Sequence, residues 1–153
     1  ATASEGAARA VGETRAMDRV AFIAYSVSGA ARLHDVAPNA MLFITIRDAR
    51  DLNDLVRRGV RPEHVVAWTG TDEPNSALNA ALSTRGVEVE FGTLGGRHSW
   101  DARFERAHRE QYAAFADAGL QRISTGRPAA ALRDLHAHDN TQSYGALQWV
   151  GAH

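Results

Sequence analysis

Apolar residues gather along the chain in five short runs rich in β-branched and aromatic side chains, at positions 20–25, 41–46, 65–68, 87–91 and 120–124. Runs of that length and composition predict buried β-strands. The segments between them carry apolar residues at helical spacing. Leu52, Leu55 and Val56 share one face behind Asp48, and Leu78, Ala81 and Leu82 share another behind Asn75 or Ser76, all of which are residue types that cap a helix N-terminus. Phe104, His108, Tyr112 and Phe115 recur every three or four residues and predict one longer helix. Pro128 stands where a first helical turn tolerates it, ahead of Leu132 and Leu135. Residues 4–16 read as a further helix.

Three of these segments end in glycine followed at once by an apolar residue: Gly59-Val60, Gly86-Val87 and Gly119-Leu120. Glycine just past a helix end takes the left-handed conformation that lets the last carbonyls find donors. The apolar runs begin 21, 24, 22 and 33 residues apart, a strand–helix repeat with one longer connection. Alternating elements of this kind predict an α/β fold with a parallel sheet and right-handed crossovers. Two architectures meet that description: the C-terminal part of a TIM (β/α)8 barrel, with four to five βα units, and a self-contained five-stranded doubly wound domain. No linker divides the chain. Residues 1–135 form the folded portion in this reading, and residues 136–153 a polar, strand-poor tail.

Composition narrows the function classes. The 153 residues carry 17 basic and 18 acidic side chains, for a formal charge of −1, so neither a nucleic-acid nor an anionic-membrane partner has an electrostatic footprint. No apolar run reaches the roughly 18–20 residues that span a bilayer. The opening residues show no secretory leader pattern. The absence of cysteine excludes disulfides, thiolate metal sites and a cysteine nucleophile.

In parallel α/β folds, ligands meet the carboxyl ends of the strands and the loops that follow. Those positions hold Tyr25 and Ser26, Arg47, Trp68 and Thr69, Phe91 through Gly96, and Ser124 through Arg127. Aromatics, an arginine and hydroxyls suit a small polar ligand, although aromatics at strand ends also simply close a core. The loop Gly92-Thr93-Leu94-Gly95-Gly96-Arg97 offers backbone N–H groups and a guanidinium to a phosphate, but its glycine spacing matches neither the dinucleotide nor the nucleoside-triphosphate fingerprint. Glu88 and Glu90 alternate onto one strand face, where a carboxylate pointing into a barrel needs a partner such as arginine. His136-Ala137-His138-Asp139 has metal-type ligands and reads as a solvated stretch, and the other histidines show no common spacing. On the residues alone, the chain is an α/β domain with a possible small-anion site, and a non-catalytic binding module stays open.

Three segments carry a sharper signal: Ala67-Trp68-Thr69-Gly70-Thr71-Asp72-Glu73-Pro74, Val89-Glu90-Phe91-Gly92-Thr93-Leu94-Gly95 and Ile123-Ser124-Thr125-Gly126-Arg127-Pro128. In order and separation they resemble the C-terminal half of bacterial glycerophosphodiester phosphodiesterases, and the likeness spans residues 5–135. The resemblance implies a phosphatidylinositol-phospholipase-like barrel that hydrolyses glycerophosphodiesters to glycerol 3-phosphate and an alcohol, with a divalent metal, calcium or magnesium. The family's His-Arg-Gly, Glu-x-Asp and Glu-x-Lys strings do not occur here, and the dipeptide His-Asp occurs only as His34-Asp35 and His138-Asp139, apart from the other strings. The chain is therefore expected to supply the substrate-side wall without the metal centre, to be inactive alone, and to pair with the missing N-terminal half or with a second copy. A bacterial cytoplasmic or periplasmic location is left open.

Two departures from the family pattern bear on the site. Thr125-Gly126-Arg127-Pro128 stands where Thr-Asp-Arg-Pro is usual, and Glu90-Phe91-Gly92-Thr93 stands where many members carry Trp-Thr-Val-Asn. The resulting expectation places no catalytic group in this chain. It makes Tyr25, Arg47, Trp68, Glu90, Phe91 and Thr93 the substrate-binding residues, with Phe91 substituting for the family's aromatic beside the leaving alcohol.

Overall fold

A computed structural model describes residues 3–149 of the chain. Helix α1 (Ala3–Glu13) precedes strand β1 (Ala21–Ala24), and strands then alternate with helices: α2 (Val27–Val36), β2 (Met41–Thr45), α3 (Ala49–Arg57), β3 (Val65–Trp68), α4 (Ser76–Ser83) and β4 (Glu88–Gly92). Helices α5 (Trp100–Ala107) and α6 (Tyr112–Asp117) lead to β5 (Arg122–Ser124), and α7 (Pro128–Trp149) follows. All five predicted strands form, with ends shifted by a residue or two.

The sheet is parallel throughout and runs β1-β2-β3-β4-β5, in chain order and without reversal. That order decides between the two architectures. A doubly wound sheet reverses direction so that helices cover both faces. Here every right-handed crossover steps the same way, so all the helices lie on one face and the other is left open. The alternative of a doubly wound domain is corrected on this ground, and the fold is a five-stranded portion of a (β/α) barrel wall.

Side-chain alternation separates the two faces. Leu42 and Ile44, Val65 and Ala67, and Val89 and Phe91 are each at most 1% exposed and turn to the helix layer, where Leu33, Leu52, Leu55, Leu82 and Phe104 meet them. The residues between them, including Ile23, Phe43, Trp68, Glu88, Glu90, Arg122 and Ser124, form the open face. Local chemistry fixes the element ends as expected. Asp48 accepts the amides of Arg50 and Asp51, and Asn75 accepts that of Leu78. Gly59, Gly86 and Gly119 have φ of 87°, 81° and 85°.

Two expectations change. The single helix through residues 104–115 is two helices, because His108 adopts a left-handed φ of 48° and Arg109 N–H turns back to the Phe104 carbonyl. The periodicity survived because both helices feed one cluster, with Phe104 edge-on to Tyr112 at 5.0 Å. Helix α7 runs from Pro128 to Trp149, so the boundary placed after residue 135 falls inside a helix; the end of that predicted tail, residues 150–153, lies outside the described residues.

Candidate functional site on the open sheet face

Strand register places the open-face side chains in layers. Thr45, Trp68, Glu90 and Arg122 occupy successive strands at one level, with Gly92 beside Ser124 above them. Trp68 is the centre of this level. Its indole tilts against Phe43, with ring centroids 5.9 Å apart, and lies across Gly92 so closely that a Cβ there would come within 2.4 Å of Cη2. The backbone continues its ladder above the tryptophan: Thr69 N–H donates to Glu90 O at 3.0 Å, and Gly92 N–H donates to Gly70 O at 2.9 Å. These bonds hold the strand ends that carry the aromatic and the carboxylate.

The two open-face glutamates have different partners. Arg122 is in register with Glu90, yet its guanidinium forms the ion pair with Glu88. Glu90 instead accepts a hydrogen bond from the Ser124 hydroxyl. The expected arginine partner therefore exists, and it neutralises the lower of the two carboxylates.

The other sequence-predicted positions separate into exposed and buried groups. Tyr25 projects from the edge strand, 93% exposed. Arg47 lies at the end of β2 with its guanidinium committed to Asp51: Nε and Nη2 donate to the two carboxylate oxygens at 3.0 and 3.1 Å, and the Arg47 amide adds a third bond at 3.0 Å. The Arg47 hydrogen bond holds the Asp51 carboxyl below its ordinary range, against the opposing effect of burial. Phe91 and Thr93 have no exposed surface. The parity that puts Glu88 and Glu90 on the open face puts Phe91 on the other, where its ring stacks on Phe115 at 5.5 Å.

The glycine-rich loop also differs from its reading as a phosphate cradle. Its first amides are already bonded, Gly92 to Gly70, and Thr93 and Leu94 both to the Ser124 carbonyl. Beyond Leu94 the loop borders an open cleft of about 470 Å³ with Arg97, His98 and Arg103, where Arg103 stacks 4.6 Å over the Trp100 ring and donates to His98 O.

Beneath this loop lies a cluster that sequence reading missed. Asp101, 6% exposed in the first turn of α5, accepts from Gly126 N–H at 2.6 Å, from the Thr125 hydroxyl at 2.9 Å and from Tyr112 OH at 2.9 Å. Burial pushes its carboxyl up, but the hydrogen bonds from Thr93, Gly126, Thr125 and Tyr112 outweigh this and hold it below the usual carboxylate range. Arg127 adds a two-pronged pair with Glu110, both bonds at 2.9 Å. The β5–α7 loop is thus held by a carboxylate from α5. The available signal was Ser99, a helix cap that puts Asp101 into a first turn.

A metal centre is not assembled from these groups. Among the described residues no three His, Asp or Glu side chains come together as a metal site. Glu88 is paired with arginine and Glu90 stands as a single carboxylate, so the donor set on this wall does not fit a divalent cation. No helix among the described residues is long and apolar enough to cross a membrane.

No family model matches the chain, and no curated protein matches it. Its fold is similar to the crystal structure of a glycerophosphoryl diester phosphodiesterase from Parabacteroides distasonis ATCC 8503, with a TM-score of 0.72 and 18% sequence identity, over 89% of this chain and 48% of that one. The chain thus spans about half the length of the solved structure it matches.

Proposed function

We propose that this chain is the substrate-side wall of a phosphodiesterase barrel that hydrolyses glycerophosphodiesters to glycerol 3-phosphate and an alcohol. The observation that supports this most directly is the open sheet face, where Trp68 and Ser124 close the carboxyl ends of β3 and β5, the end at which barrels of this kind hold their ligands, with Phe43 against the indole and Glu90 against the Ser124 hydroxyl. The fold likeness to half of a solved phosphodiesterase agrees with it, as do the Trp68-Thr69-Gly70 and Phe91-Gly92-Thr93-Leu94-Gly95 segments.

In this reading Trp68 and Phe43 give the substrate an apolar surface, Glu90 and Ser124 orient its polar end, and the Asp101 cluster keeps the β4–α5 and β5–α7 loops at a fixed height around it. Tyr25 and Arg47 stand at the rim. A divalent metal would supply charge stabilisation at the phosphoryl oxygens, held by ligands from outside this wall. The remaining strands come from the other half of the barrel or from a second copy, which also covers the edges of β1 and β5.

The test is an assay of the protein expressed from the complete reading frame that contains these residues, measuring glycerol 3-phosphate release from glycerophosphodiesters with calcium or magnesium. Turnover that weakens through KM in Trp68→Ala supports the reading. A complete protein without turnover in either metal sinks it, and unchanged KM and kcat in Trp68→Ala remove that residue from the site. The 153-residue chain alone is expected to be inactive.

A further inference from the structure

We propose that Trp100 is a positioning residue: its indole N–H holds the β3–α4 loop in the pose that sets Thr71 beside the Trp68 ring at the carboxyl end of the sheet. That a substrate is received there rests on the proposed function; the clasp rests on the contacts of Trp100 itself.

Four observations lead there. First, Trp100 opens α5 in the helix layer, and its ring is anchored there, edge-on to Phe115 at 5.3 Å and tilted against Phe104 at 6.0 Å. Second, from that anchor Nε1–H donates to the Asp72 carbonyl at 2.6 Å, a contact across 28 residues. The backbone ties between the β3–α4 segment and β4, Thr69 N–H to Glu90 O and Gly92 N–H to Gly70 O, stop at residue 70. Further along the loop, among the described residues, the indole bond is joined only by Arg103 and Glu73, which stand 3.9 Å apart with side chains 48% and 75% exposed. An ion pair that long and that wet holds little. Third, the loop carries its placement to the open face: Trp68 Cη2 and Thr71 Cγ2 lie 2.4 and 2.9 Å from where a Gly92 Cβ would stand, so the ring edge and the methyl share one side of β4. Fourth, the next residue, Asp101, grips Thr125 and Gly126, so one helical turn fastens the loops on either side of it. Packing in the Phe104–Phe115 cluster asks only for an aromatic ring, which phenylalanine supplies. Holding the Asp72 carbonyl asks for a donor, and that separates positioning from packing.

The test is Trp100→Phe, which keeps the ring and removes the N–H. In the 153-residue chain, hydrogen exchange of the Gly92 amide, held by Gly70 O, is expected to quicken about tenfold, while the Val60 amide, bonded to Leu55 O at the end of α3, is unchanged. In the complete protein, KM for glycerophosphodiesters is expected to rise about three- to tenfold, the scale of one net hydrogen bond, with kcat within about twofold. A lowered thermal midpoint with Gly92 exchange and KM both unchanged would show packing alone and overturn the inference. Faster Gly92 exchange with unchanged KM in an active complete protein overturns it too, since the loop then moves without consequence for the substrate. If Trp100→Phe fails to fold, the unsubstituted chain decides: the Trp100 indole N–H, assigned by its proximity to the Phe115 ring, should exchange at least about tenfold slower than free tryptophan, and exchange at the free rate overturns the clasp. Faster Gly92 exchange in Trp100→Phe, with no turnover by the complete protein in any form, would sink the proposed function and leave the clasp standing; turnover with Gly92 exchange and KM unchanged in Trp100→Phe would do the reverse.

Discussion

The six-membered ring of Trp68 occupies the space that a side chain at position 92 would need: a Cβ on Gly92 would lie 2.4 Å from Cη2 and 2.9 Å from Thr71 Cγ2. The indole rests on Phe43, and the Gly92 backbone is bonded to Gly70. Gly92 is therefore required by its neighbour rather than by its own backbone angles, and the pair sets the shape of the open face.

Gly92→Ala is expected to force the indole off the sheet and to cost about 1–3 kcal/mol, the range for an overpacked contact. Chemical denaturation measures the loss. The Trp68 fluorescence maximum should move to the red in the folded variant, and an unchanged midpoint and spectrum would show that the ring relaxes at no cost.

Asp101 is expected to be the most sensitive polar position. Asp101→Ala leaves Gly126 N–H and the hydroxyls of Thr125 and Tyr112 without their acceptor, at a cost of about 2–4 kcal/mol. Tyr112→Phe removes one donor and leaves the carboxylate three others, so it should cost less, about 1 kcal/mol. Equal losses in the two variants would mean that the carboxylate does not organise the cluster.

Acid should weaken the fold through two carboxylates. Asp51 and Asp101 both have folded-state values below the ordinary 3.8, lowered by the Arg47 bond in the first case and by four hydrogen bonds that overcome burial in the second. A depressed carboxylate stabilises the fold at pH above its unfolded value and loses that contribution as pH falls through the folded one. Thermal midpoints are therefore expected to hold from neutral pH down to about 4 and to drop below it. In Asp101→Asn the drop should be shallower, and an identical slope would exclude Asp101 from the transition.

The edge strand β1 exposes Ile23, 55% accessible on the open face. Unpaired edges and apolar sheet faces associate. Ile23→Glu is expected to reduce the association of the 153-residue chain, as read by sedimentation velocity over a concentration series, while leaving helix content unchanged by circular dichroism. An oligomer distribution insensitive to this change would place the contact elsewhere than the β1 edge.

What the chain determined by itself was everything that depends on near neighbours. The strands follow from short apolar runs, the caps Asp48 and Asn75 from side chains that reach amides two or three residues on, and the glycine stops at 59, 86 and 119 from a backbone angle that other residues adopt at a cost. The alternation of Glu88 and Glu90 was legible, but Phe91, expected beside the ligand, turns by that same alternation to the buried face and stacks on Phe115. The break at His108 was not legible, because two helices packed on one cluster keep the spacing of one. Tertiary structure alone decided the pairings across strands and loops. Arg122 has two glutamates within reach, one in register and one a layer below, and a linear pattern contains nothing to choose between them. Asp101 meets Gly126 across 25 residues, and only the closing of the parallel sheet brings the first turn of α5 under the end of β5. The fold class could be read along the chain because periodicity is local. The site could not, since its charges and ring faces acquire partners only when strands distant in sequence stand side by side.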